Sequence, residues 1–99
     1  MAREFLQVDP RTLRLPHSRR QGADPAKLQR QISRHGASVD GMPHLEVVRG
    51  IDGFLLLVNG VTRATRVAKL LPGTMVAVEV ISAYPKAVGH LPSIEDMLP

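Results

Sequence analysis

Phe54-Leu55-Leu56-Leu57-Val58-Asn59-Gly60-Val61-Thr62-Arg63-Ala64-Thr65-Arg66-Val67-Ala68 is the stretch whose reading decides the fold. The apolar run from Phe54 to Val58 does not alternate, so it reads as a strand buried on both faces and central in a sheet. Asn59-Gly60 closes that strand. From Thr62 the period changes: Ala64, Val67, Ala68 and Leu71 recur at helical spacing as one apolar stripe, which Pro72-Gly73 ends. A strand that passes at a glycine directly into a helix leaves the first helical amides without partners and aimed at one place. Such an end attracts anions through those amides and the macrodipole. Arg63 and Arg66 lie three apart, neighbours on one helical face near it, and Thr62 can cap the helix or offer its hydroxyl to the same anion. An ordinary solvated turn has the same spacing, and the spacing alone does not separate the two readings.

Working outward, Leu45 to Arg49 reads as a strand with Leu45 and Val47 on one face and Glu46 and Val48 on the other. Gly50-Ile51-Asp52-Gly53 then makes an antiparallel hairpin with the strand that follows. Asp24-Pro25 is a helix start, since the carboxylate accepts from first-turn amides and proline already holds helical φ. Leu28, Ile32 and His35 share one face of a helix over 25–35, with Lys27, Arg30 and Arg34 pointing elsewhere, and Gly36 stops it. Phe5 to Val8 and Leu13 to Leu15 are short extended pieces parted by Asp9-Pro10. Val76, Val78 and Val80 alternate in a last strand. The order is strand (or strand pair), helix, strand, strand, helix, strand, which predicts an α+β domain with two main helices on a small mixed β-sheet. Residues 1–83 form this domain, and 84–99 are a proline-bearing C-terminal tail, either disordered or docked, in which only Ser93 to Met97 can make a helical turn.

Composition bounds the chemistry. Ninety-nine residues suffice for one domain with one modest core, and 43% hydrophobic with 22% charged residues excludes wholesale disorder. With no cysteine there is no disulfide framework, thiolate metal site or cysteine nucleophile. No apolar run approaches the roughly 20 residues of a membrane span, so the expectation is a soluble, cytoplasmic protein without a membrane partner. The net charge of +4 lies wholly in residues 1–50, and between Arg11 and Arg34 seven basic residues face one acidic residue, Asp24. Ten of the thirteen basic residues are arginine, whose planar fork pairs bidentately with phosphate. That surplus fits an anionic partner or a merely solvated basic face. His17, His35, His44 and His90 have no paired metal-ligand spacing, so no metal site is read from them. Asp40 and Asp52 read as turn formers, Glu79 as a solvated strand residue, and His35 as a charge favouring the end of its helix.

Over residues 5 to 82 the chain resembles the ParB/sulfiredoxin superfamily, and within it the N-terminal, ParB-like nuclease domain of partition proteins, in divergent and freestanding form. Leu15-Pro16-His17-Ser18-Arg19-Arg20 is similar to that family's Asn-Pro-x-Gln-Pro-Arg loop, keeping Pro16 and Arg20. Ile32-Ser33-Arg34-His35-Gly36 is similar to its helix ending, and Met42-Pro43-His44-Leu45-Glu46-Val47-Val48 to its Pro-Ile-x-Val strand. Gly60 to Ala68 stands where the family has Gly-Glu-Arg-Arg-x-Arg-Ala. Here Val61 replaces the glutamate, Thr62 the first arginine and Thr65 the third, while Arg63 is retained and Arg66 follows one residue later.

The resemblance implies binding of the phosphates of a nucleotide, CTP or ATP, or of a nucleic acid. Gly60, Thr62, Arg63 and Arg66 would contact phosphate, Arg20 would reach in from the loop, and Mg2+ with a nucleoside triphosphate is the implied cofactor. Sulfiredoxin chemistry is excluded, because the residue after the glycine is Val61 and not cysteine. The lost glutamate and arginine leave binding expected and hydrolysis of a phosphoester or phosphoanhydride without an assigned base. Sequence-specific DNA reading is not expected, because the resemblance covers no helix-turn-helix. The alternative is a catalytically degenerate regulatory module that meets a protein partner through the basic segment or the tail.

Overall fold

The computed structural model describes residues 3–99. Four strands, β1 (Glu4–Val8), β2 (Leu45–Arg49), β3 (Leu55–Asn59) and β4 (Val76–Ala83), and two helices, α1 (Pro25–His35) and α2 (Val61–Leu70), are joined by short loops and three 3-10 turns. The strands make one mixed sheet in the order β1-β4-β2-β3, in which β2 and β4 are parallel and the outer pairings antiparallel. This is the small α+β fold that the periodicities predict. No helix among the described residues is long and apolar enough to cross a membrane.

The boundaries follow from local chemistry. Asp24 accepts from the Lys27 amide at 3.3 Å to start α1, and the Gly36 N–H closes it on the Ile32 carbonyl with φ 55°. The hairpin between β2 and β3 turns where Gly53 N–H meets the Gly50 carbonyl at 3.0 Å. The helix-facing core gathers Leu45, Val47, Leu57, Val76 and Val78 from the sheet with Val61, Ala64, Val67 and Ala68 from α2. Leu28 is the one fully buried residue of α1, with Ile32 half-buried and His35 exposed, so that helix lies on the surface of the domain.

One sequence expectation changes and one open alternative is decided. The strand read as central is an edge strand of the four-stranded sheet, and Phe54 and Val58 at its ends are exposed. Its middle is nevertheless buried on both faces: Leu57 enters the helix-side core, while Leu56 joins a second cluster with Val48, Val88 and Leu91 on the opposite face. The unbroken apolar run thus records a second cover, not a central position. Its outer edge is also satisfied, because Arg14 N–H donates to the Leu55 carbonyl and Leu57 N–H to the Arg14 carbonyl, each at 2.9 Å.

The cover comes from the C-terminal segment, which docks. Leu15 N–H donates to the Pro92 carbonyl at 2.8 Å and Ile94 N–H to the Leu13 carbonyl at 2.9 Å. The Asp52 carboxylate receives the Val88 and Gly89 amides, the latter at 2.8 Å, and Ile94 is 1% exposed within the main core. Ser93 and Asp96 bond reciprocally at 2.9 and 3.1 Å at the start of the last 3-10 turn, Glu95–Met97.

Because Ile94 fills the shared core, Ile94→Ala should cost about 2–5 kcal/mol in urea denaturation. Ile81→Ala, at a half-exposed site on β4, should stay within about 0.5 kcal/mol. Equal effects would mean that the segment does not belong to the cooperative unit.

Candidate functional site

The passage from β3 to α2 takes a single residue. Gly60 sits at φ 105°, ψ 23°, in the left-handed region, and no side chain caps the helix it precedes. The first bond of α2 runs from the Ala64 N–H to the Gly60 carbonyl at 2.9 Å, so the amides of Val61, Thr62 and Arg63 have no partner within the helix. Only glycine fits. A Cβ there would collide with Leu45 Cδ2 and lie 3.0 Å from Arg63 Nη2, in a conformation that L side chains rarely adopt. Leu45 therefore fills the bend from beneath and the Arg63 guanidinium lies over it.

The two arginines of α2 have different surroundings. Arg66 is 1% exposed. Its Nη1 donates to the Gly36 carbonyl at 2.8 Å and the Ser38 carbonyl at 2.7 Å, and its Nη2 reaches Met42 Sδ at 3.5 Å. It ties α2 to the connection between α1 and β2, with no carboxylate beside it, and burial lowers its pKa from the ordinary guanidinium value. The expectation that Arg66 supports a phosphate gives way to this: two of its donors are already held by carbonyls. Arg63 makes no ion pair and no side-chain hydrogen bond among the described residues; its Nε is buried without a partner, as are those of Arg66 and Arg14.

The remaining site residues fall in separate hollows. Arg63 and Arg66 line a cavity of about 300 Å³ with Gln31, His35, Asp40 and Met42. Thr62, which does not cap α2, opens on the other side of Gln31 into a depression walled by Lys27, Arg30 and Arg34. Arg20 is exposed and lines a hollow formed by residues 17 to 25 of its own loop. The structure thus brings Gly60 and Arg63 together, sets Thr62 among the cations of α1, and leaves Arg20 in a different hollow. Lys27, Arg30 and Arg34 were missed as site residues. Their i, i+3, i+7 spacing was legible as a shared face, but nothing in the sequence places that face beside the start of α2.

Of the acidic residues read from the sequence, Asp40 lines the hollow of Arg63, and Glu79 and Asp52 are engaged elsewhere. Glu79 receives Arg3 through two bonds of 2.9 Å and lies 3.1 Å from His44 Nε2. The Arg3 guanidinium holds its carboxyl below the usual range, helped by His44, so it is an ion-paired residue and not the solvated one the strand pattern implied. Asp52 is a turn former whose carboxylate caps the Val88 and Gly89 amides. No group of three His, Cys, Asp or Glu able to hold a metal occurs among the described residues. The wall beside Thr62 carries three cations and no carboxylate, and the hollow of Arg63 carries one carboxylate, Asp40. No protein-family model matches the chain, and no curated protein matches it either.

The two arginines should respond oppositely to truncation. Arg66→Ala should cost more than about 2 kcal/mol, because the Gly36 and Ser38 carbonyls lose their donor and a cavity opens. Arg63→Ala should change stability by less than about 1 kcal/mol, both read from denaturant midpoints at neutral pH. Gly60→Ala should destabilise as strongly as Arg66→Ala, through the Leu45 collision.

A pH series checks the engaged carboxylates. Glu4, Asp9, Asp52, Glu79 and Asp96 all have lowered pKa values in the fold. A depressed folded pKa contributes stability that is complete above the unfolded value, 4.5 for glutamate, and is lost as pH falls through the folded one. Stability should be flat with respect to these groups at neutral pH and fall below about pH 4.5. Glu79→Gln should make that acid slope shallower.

Proposed function

We propose that this domain binds the phosphate group of a nucleotide or nucleic acid at the bend from Gly60 to Arg63, in the manner of the ParB-type N-terminal domains that its sequence resembles. One observation carries the reading: a guanidinium with no ion-pair partner among the described residues lies beside a left-handed glycine at a helix start that no side chain caps. Phosphate oxygens are the complement of that arrangement. They accept from amides at Val61, Thr62 and Arg63, meet the helix's positive end, and pair with a planar cation. Thr62 joins through its amide, since its side chain lines the neighbouring hollow with the α1 cations.

Binding without turnover is what the donor set supports. Hydrolysis of a phosphoester or phosphoanhydride needs a group to activate water, and the one carboxylate lining either hollow beside the bend is Asp40. Any magnesium ion would arrive on the phosphates of a nucleoside triphosphate. A second reading, a module that meets a protein partner, is favoured by Phe5 and Ile81, 48% and 47% exposed on the sheet face away from the helices.

Calorimetric titration with CTP, ATP and GTP, each with and without magnesium, tests the proposal. Binding of at least one should weaken tenfold or more, about 1.4 kcal/mol, in Arg63→Ala. Binding that ignores the substitution removes Arg63 from its role, and an absence of binding by all three nucleotides and by DNA leaves the protein-interaction reading in its place.

A further inference from the structure

The chain's acidic residues neutralise its cations unevenly. Glu4, Asp9 and Glu79 pair with Arg49, Arg11 and Arg3, while Asp24, Asp52 and Asp96 accept backbone amides. Lys27, Arg30 and Arg34 on α1, with Arg19 and Arg20 in the loop before it, make no ion pair and donate no side-chain hydrogen bond among the described residues. Lys27, Arg30 and Arg34 are exposed and recur at i, i+3 and i+7, so they form a row on one face. At 1.5 Å per residue the row is about 10 Å long.

From this we infer that α1 is a docking surface for the sugar-phosphate backbone of double-stranded nucleic acid. Each strand of a duplex carries one phosphate per roughly 3.4 Å of axis, so a row about 10 Å long lies alongside about three phosphates of a continuous backbone. Arginine supplies two of its three side chains, with Arg19 and Arg20 extending the positive field upstream of the helix. The depression lined by Lys27, Arg30 and Arg34 is shared with Thr62, so the row ends at the uncapped start of α2. The inference rests on the proposed phosphate site for that one contact and on α1 for the others.

The aromatic residues argue for a duplex over a single strand. Phe5 lies edge-on to His44 with Arg3 over its ring, Phe54 lies under Arg14, and Tyr84 packs on the cluster beneath the C-terminal segment. None is on α1, so bases have no ring to stack on, and stacking is what single-strand sites use. Contact is with phosphate alone and carries no sequence preference of its own.

The test is fluorescence anisotropy of a labelled duplex of about 20 base pairs of arbitrary sequence, over a salt series. The chain should bind with a log-log salt slope of about −3 or steeper, close to −0.9 per phosphate neutralised. Lys27→Gln/Arg30→Gln/Arg34→Gln should lose tenfold or more in affinity and flatten the slope by about two to three. Lys69→Gln/Lys86→Gln, which removes unpaired charge elsewhere, should bind like the parent and guards against a mere net-charge effect. Glutamine keeps α1 helical, and matching circular dichroism melts confirm that each variant folds.

The inference is overturned if the α1 variant binds the duplex like the parent, if the Lys69/Lys86 variant loses as much, or if vesicles containing phosphatidylserine are bound more tightly than the duplex. Nucleotide binding that depends on Arg63 without duplex binding sinks this inference and spares the phosphate site. Duplex binding that depends on α1 but not on Arg63, with no nucleotide bound, does the reverse.

Discussion

Close packing of Leu45 beneath Gly60 is the constraint on which the rest depends. Leu45 is wholly buried at the start of β2, and its side chain occupies the space a Cβ at position 60 would need. The chain can therefore leave β3 and enter α2 in one residue, through a left-handed glycine. That short passage lays α2 directly on the sheet, so Val61, Ala64, Val67 and Ala68 all reach the core. It also leaves the first amides of α2 without a capping side chain and draws the Arg63 guanidinium back over the bend. The packing and the proposed anion site have one local cause.

The second organising feature is where arginine is used. Arg66 is inside, clamping the segment after α1 through the Gly36 and Ser38 carbonyls. Arg3, Arg11 and Arg49 hold carboxylates on the periphery. Arg14 spans from Phe54 to the Leu91 carbonyl at 3.1 Å, binding the C-terminal segment to β3. What remains without acidic partners is concentrated in the loop before α1, on α1 itself and at Arg63. The uneven charge of the sequence becomes a basic side of the molecule because Glu4, Asp9 and Glu79 pair with other arginines.

Much of this was legible in the residues. Asp24-Pro25 and Gly36 mark both ends of α1, Gly60 marks the bend, and the alternation of Val76, Val78 and Val80 marks β4, because caps, turns and periods are local physics. What escaped is non-local. The run Leu55-Leu56-Leu57 signals two buried faces, but only the fold reveals that the far cover is Val88 and Leu91. Arg63 and Arg66 look equivalent by spacing. Their separation depends on the Gly36–Met42 segment lying against one side of α2, which no local pattern encodes. Arg20 likewise resembles a ligand by motif position and lies in a hollow of its own loop.

The account's central claim is that the bend at Gly60 receives phosphate, and amide-resolved NMR during titration with CTP reads it most directly. The backbone amides of Val61, Thr62 and Arg63 and the Arg63 Nε–H should shift together and saturably, while the Arg66 Nε–H moves little. Saturable shifts confined to other parts of the molecule, or no saturable shift at all, would contradict it.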